Sequence, residues 1–91
     1  MELKELLLQL SRKGFLFKMS RNNWAYNYEV SKADRTAGGQ MTIVTNADET
    51  PWNLYWDNPT GSMRYETYQD VYNYLVLGEC NGKWRSYGGG Y

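Results

Sequence analysis

Few residues in this chain are of a type and spacing that could do chemistry. Cys80 has Lys83 three positions on, Asp48 and Glu49 are adjacent, Asp57 and Glu66 flank a turn, and DNPTG runs from 57 to 61. A neighbouring cation activates a thiol by lowering its pKa. With one lysine nearby, Cys80 reads as a small apolar residue more readily than as a nucleophile. The chain has no histidine, which removes the Ser-His-Asp and Cys-His systems and the commonest base near neutral pH. Without histidine and with one cysteine, a zinc site would need carboxylates alone. DNPTG fails as a calcium loop because Pro59 stands where a ligand belongs. Glycoside hydrolysis needs two carboxyls held across a cleft, and a chain of 91 residues offers little depth for one. YGGGY, 87–91, lacks the lysine and the strand-loop-helix setting of a phosphate loop. The expectation is a protein that is not an enzyme and holds no metal or cofactor.

The compositional signal is aromatic. Nine Tyr and four Trp stand among the 91 residues. Such rings suit interfaces as well as cores, because one edge can stay wet while the rest is buried. Formal net charge is zero, against the basic surplus of a dedicated duplex-DNA binder. The charge is uneven along the chain. Arg12, Lys13, Lys18 and Arg21 form a run without an acid, and Asp48, Glu49 and Asp57 one without a base.

The elements that must position these residues can be read from periodicity. Leu3, Leu6, Leu7 and Leu10 draw one stripe of a helix over 2–13, closed by Gly14. Leu8 falls off the stripe and is expected against the next strand. Strands are expected at 15–19, 23–32, 40–46 and 52–57. Alternation puts Trp24, Tyr26, Tyr28 and Val30 on one face of the second, and Trp52, Leu54 and Trp56 on one face of the fourth, and both faces are expected beneath the two helices. DRTAGG, 34–39, and NPTG, 58–61, carry turn chemistry. Thr67 with Asp70 resembles a capping box and opens a helix over 67–77 with Tyr68, Val71, Tyr72 and Leu75 on its inner face, ended by Gly78. Asn81-Gly82 predicts a small hairpin in ECNGKW.

The expected fold is α+β: an antiparallel meander of three to four strands packed against an N-terminal and a C-terminal helix, in the order α-β-β-β-β-α. One domain covers 1–87, and 88–91 form a flexible glycine-rich tail. The single Cys80 excludes an internal disulfide and fits a reducing compartment. MELKELLLQL has no basic leader, and its apolar stretch is far shorter than the ~20 residues that span a bilayer. A cytoplasmic protein without a membrane partner is expected, and the chain reads as a whole small gene product.

One core of this size cannot bury every ring. Tyr55, Tyr65, Tyr74, Trp84 and Tyr87 are the surplus, and exposed clustered rings mark binding surfaces. The leading expectation is a non-catalytic protein-binding module, with Tyr55, Trp84, Arg85, Tyr87 and Arg21 as contacts. The alternative is weak single-stranded nucleic-acid binding through Lys18, Arg21, Lys83, Trp84 and Arg85, where bases stack on rings between cations. Self-association is a third way to cover the rings. In its small size, its lack of catalytic groups and its helix entered through Thr67 and Asp70, the chain resembles the small accessory proteins of phages and mobile elements. These include anti-CRISPR proteins, which block a host nuclease complex by binding it. That resemblance implies an inhibitor or regulator of a host protein complex.

Overall fold

The computed structural model describes residues 1–32 and 39–87. The order is α1 (Leu3–Arg12), β1 (Phe15–Arg21), β2 (Ala25–Lys32), β3 (Gln40–Asn46), β4 (Pro51–Asn58), β5 (Gly61–Tyr65), α2 (Tyr68–Leu77) and β6 (Lys83–Ser86). All six strands form one antiparallel sheet in sequence order. The class is the expected α+β. The described residues hold six strands rather than three or four. Residues 61–65, left between a turn and a helix in the sequence reading, are a strand because Met63 and Tyr65 alternate with Ser62 and Arg64. The Asn81-Gly82 hairpin does not form: Lys83–Ser86 pairs back onto β5 after α2 has intervened. The loop expected at 34–39, apart from Gly39, and the tail at 88–91 lie outside the described residues.

Short polar side chains close the turns. Asn22 Oδ1 accepts from the N–H of Trp24 and Ala25. Asp48 Oδ1 accepts from Thr50 N–H and hydroxyl. Asn58 Oδ1 accepts from Thr60 and Gly61. Each mimics a backbone turn bond, which is why Asn and Asp concentrate at such positions. The Asx turn at Asn22 also ends the alternation early. Strand β2 begins at Ala25, and Trp24 is left in the turn at 63% exposure, not on the core face with Tyr26, Tyr28 and Val30.

Both helices lie on one face of the sheet. Cross-strand rows run Phe17–Val30–Met41–Trp56–Met63–Trp84 and Tyr28–Ile43–Leu54–Tyr65 beneath them. Val30, Met41, Ile43, Leu54 and Tyr65 are buried at the centre with Leu3, Leu6 and Leu10 of α1 and Tyr68, Val71 and Leu75 of α2. Phe17 and Tyr28 are half-buried against this core, while Trp84 at the β6 end and Trp24 in the turn stay outside. Leu7 is half-buried, and Leu8 faces solvent instead of meeting a strand. Thr67 Oγ1 accepts from Asp70 N–H at 3.1 Å, as the cap predicts. Gly14 and Gly78 take left-handed φ values of 89° and 73° at the helix ends.

Candidate interaction surface

With both helices on one side, the other side of the sheet carries a polar and aromatic pattern. One row crosses every strand: Lys18, Glu29, Thr42, Tyr55, Arg64 and Lys83. A second runs Gln40, Asp57, Ser62 and Arg85. A third runs Ser20, Asn27, Val44 and Asn53. Antiparallel sheets tolerate one solvated face, and their sequences alternate accordingly.

The centre of this face is built by β4 and β5. Tyr55 and Arg64 are direct cross-strand partners, with the guanidinium carbon 5.9 Å from the ring centroid. Arg64 also donates from Nη1 to Asn53 Oδ1 at 2.7 Å. The hydrogen bond and the ring together restrain the guanidinium, which keeps donors beyond the one given to Asn53.

A bulge completes the cluster. Val44 pairs with Asn53, but Thr45 pairs with Pro51, so Trp52 is the extra residue of β4. Bulges re-aim side chains. Trp52 leaves the face it would share with Leu54 and Trp56, reaches 58% exposure, and lines a shallow depression of about 290 Å³ with Val44, Asn53 and Arg64. The sequence reading put Trp52 on the core face; the bulge overturns that and unites Trp, Tyr and Arg on the open one.

A second feature lies toward Asn58. Tyr87 N–H donates to the Thr60 carbonyl, and its hydroxyl reaches back across the sheet to donate to Asp57 Oδ1. The Asp57 carboxylate stabilises the protonated phenol and raises its pKa. Ser62 lies between Asp57 and Arg85 in register and is buried although no helix lies on its side.

The five expected contact residues are therefore divided. Tyr55, Arg85 and Tyr87 belong to the open face. Trp84 is on the helix side of β6, opposite Met63, its ring over Gly61. Arg21 is at the far edge, on β1, 5.8 Å from the Tyr26 ring centroid on the helix side. Of the alternative set, Lys18, Lys83 and Arg85 share the open face, while Arg21 and Trp84 do not. Asn53 and Arg64 were not singled out from sequence, and Trp52 was read as core rather than as a contact. The alternation Asn53-x-Tyr55-x-Asp57 signals the first; nothing in the sequence signals the bulge.

The carboxylates considered for catalysis stay apart. Asp57 accepts from Tyr87, and Glu66 pairs with Lys83 at 3.5 Å in solvent. Cys80 is exposed. Among the described residues no group of three His, Cys, Asp or Glu side chains is placed to hold a metal ion. Among the described residues no helix is long and apolar enough to cross a membrane. No family model, curated protein or solved structure matches the chain.

Proposed function

We propose that this protein is a non-catalytic binding module that docks another protein on the open face of its sheet. The observation that carries the reading is the bulged Trp52, held out of the core beside Tyr55 and Arg64. Trp, Tyr and Arg are the residues that dominate interface energetics, and they do so best on a preorganised support. Here the support is a six-stranded sheet with a filled core behind it. Arg85 and Tyr87 form the rim. The resemblance in size and architecture to phage accessory proteins makes a host protein complex the partner class to test first, with this chain as its inhibitor or regulator.

A photo-cross-linking residue in place of Tyr55 tests the proposal in cells, with the same residue in place of exposed Lys4 on α1 as control. A defined adduct from position 55 only, lost in Trp52→Ala and Arg64→Glu, is the expected result. With the partner in hand, Trp52→Ala should weaken binding by about 2 kcal/mol, roughly 30-fold in Kd. Identical adducts from both positions would refute the docking face.

A second reading rests on Lys18, Arg64, Lys83 and Arg85, which share this face with Tyr55 and Trp52 and make it a platform on which single-stranded nucleic acid could stack. Glu29 and Asp57, interleaved with those cations, weaken it. A labelled oligothymidylate that fails to bind at low salt removes this reading and leaves the first intact.

A further inference from the structure

The sheet has two outer strands, β1 and β6, and they differ. Strand β6 has four residues, KWRS, and is short. Strand β1 has seven, FLFKMSR, of which Leu16 is 59% and Met19 57% exposed. A long edge with exposed apolar side chains is a template for another strand.

The hairpin fixes which backbone groups that edge offers. Asn22 N–H donates to the Ala25 carbonyl, so residues 22 and 25 are a hydrogen-bonded pair. Bonded and non-bonded pairs alternate along an antiparallel ladder. Ser20, Lys18 and Leu16 therefore bond inward to Asn27, Glu29 and Ser31 in the observed register. Phe17, Met19 and Arg21 turn their N–H and C=O groups to the outer side, where no strand of the described residues pairs with them.

Charge selects the occupant. Exposed Arg12 and Lys13 stand where α1 ends, just before β1, and Lys18 and Arg21 lie along it. Lys32 on β2 sits beside the start of β1, its ammonium 5.4 Å from the Phe15 ring centroid. Glu29, opposite Lys18, is the one acid that β2 sets against this row. A second copy is a poor occupant. Pairing β1 with β1 brings two basic strands together, and pairing it with β6 sets Lys18 and Arg21 near Lys83 and Arg85. Like charges on facing strands destabilise the pair.

We propose that the outer edge of β1 receives an extended, acidic segment of a partner protein as an added antiparallel or parallel strand. Backbone groups of Phe17, Met19 and Arg21 supply the ladder, which is the strand-addition mode of peptide recognition. Acidic side chains of the incoming strand lie against Lys18 and Arg21. Alternate apolar side chains meet Leu16 on the open side and Met19 on the helix side. This edge is separate from the Trp52–Tyr55–Arg64 face and does not depend on it.

The test uses the whole chain and a short capped peptide of the repeat Glu-Thr-Val, whose period of three puts both glutamate and valine on each face of a strand, read by amide hydrogen exchange in NMR. The expected result is slowed exchange at Phe17, Met19 and Arg21, with Lys18 and Ser20, already bonded inward, unchanged. The corresponding Lys-Thr-Val peptide should bind about tenfold more weakly or not at all, and backbone N-methylation of the acidic peptide should abolish binding. The doubly substituted Lys18→Glu/Arg21→Glu protein should reverse the preference between the two peptides, and Trp52→Ala should leave both unchanged. Equal binding of the two peptides overturns the proposal. So does protection of the same amides by oligothymidylate, or by self-association of the chain alone in a concentration series.

Discussion

Replacing Gly61 by alanine should detach strand β6 while leaving the rest of the fold in place. Gly61 pairs with Asn58 on one side and Ser86 on the other. A Cβ built on it would lie 2.4 Å from the Arg85 carbonyl oxygen, 2.7 Å from a Trp84 ring carbon and 3.0 Å from the Ser86 Cα. Two of these neighbours are backbone, so no rotamer change relieves them. The strands must separate locally by about 1 Å, which stretches ladder bonds of about 2.9 Å past their useful range. Overpacking of this kind costs about 1–3 kcal/mol. What resists it is small: four cross-strand pairs hold β6, each contributing about 0.2–1 kcal/mol. Its four residues are all exposed, so little burial is added. The two sums are comparable, and the edge strand yields before the core. Tyr87 N–H donates to the Thr60 carbonyl, so in this register the inward-bonded amides are Lys83, Arg85 and Tyr87, and amide hydrogen exchange should show their protection falling about tenfold or more, with Ile43 and Leu54 little changed. Tyr87, no longer anchored beside β6, should release Asp57. Gly78→Ala is the contrast. It has a left-handed φ of 73° and nothing within 4 Å of an added Cβ. It should cost about 1–2 kcal/mol, read as a uniform loss of global stability. Intact protection at β6 in Gly61→Ala, with a uniform loss across the core instead, would refute the reasoning.

Other outcomes follow from burial, capping and titration. Ile43→Ala and Leu54→Ala, both at buried central positions, should each lose about 2–5 kcal/mol in urea unfolding, whereas Trp52→Ala should change stability by no more than about 0.5 kcal/mol, despite the larger side chain, if the bulge holds its ring outside. Thr67→Ala should cost about 1 kcal/mol and Thr67→Ser much less, because the cap needs only the hydroxyl oxygen. Stability should be level from neutral pH to about pH 10 and fall as pH rises further. Burial, reinforced by Glu49, raises the Tyr68 phenol from 10.0 to about 12, so above pH 10 the unfolded chain releases a proton that the folded chain retains, and unfolding gains. Tyr68→Phe should reduce that slope without abolishing it in urea titrations at a pH series, because burial also raises the Tyr65 and Tyr28 phenols, and it costs the 2.6 Å hydrogen bond to the Glu49 carbonyl.

The two proposed surfaces meet a partner in different ways. The open face offers side chains on a rigid support; the β1 edge offers main chain and charge. Arg21 was expected among the aromatic contacts, yet its position on β1 places it with the edge. Trp84 was expected there too, and its ring instead lies over Gly61 on the helix side. A partner that used both surfaces would have to wrap from the face around β1, through Lys18, whose side chain is on the face and whose strand is the edge.

Features that depend on neighbours along the chain were legible before any fold was known. The leucine stripe and Gly14 define α1, and Thr67 with Gly78 defines α2, because helix periodicity and caps act over three or four residues. The strands found at 15–21, 40–46 and 51–58 were legible as 15–19, 40–46 and 52–57 from β-branched and aromatic runs with turn residues between them. The meander follows from short connections. Absence of histidine removes whole classes of catalysis before any fold is known. The tertiary structure alone decided which rings the core takes. Tyr65 was counted as surplus and is buried, because residues 61–65 pair between β4 and β6 and aim it under α2. Trp24 and Trp52 were counted as core and are exposed, the first because Asn22 closes the turn, the second because β3 and β4 pair with a one-residue offset. Alternation assigns a face only relative to its own strand. Pairing register, set by residues distant in sequence, decides which face meets the helices, and a single bulge reverses that assignment for the tryptophan on which the proposed docking site depends.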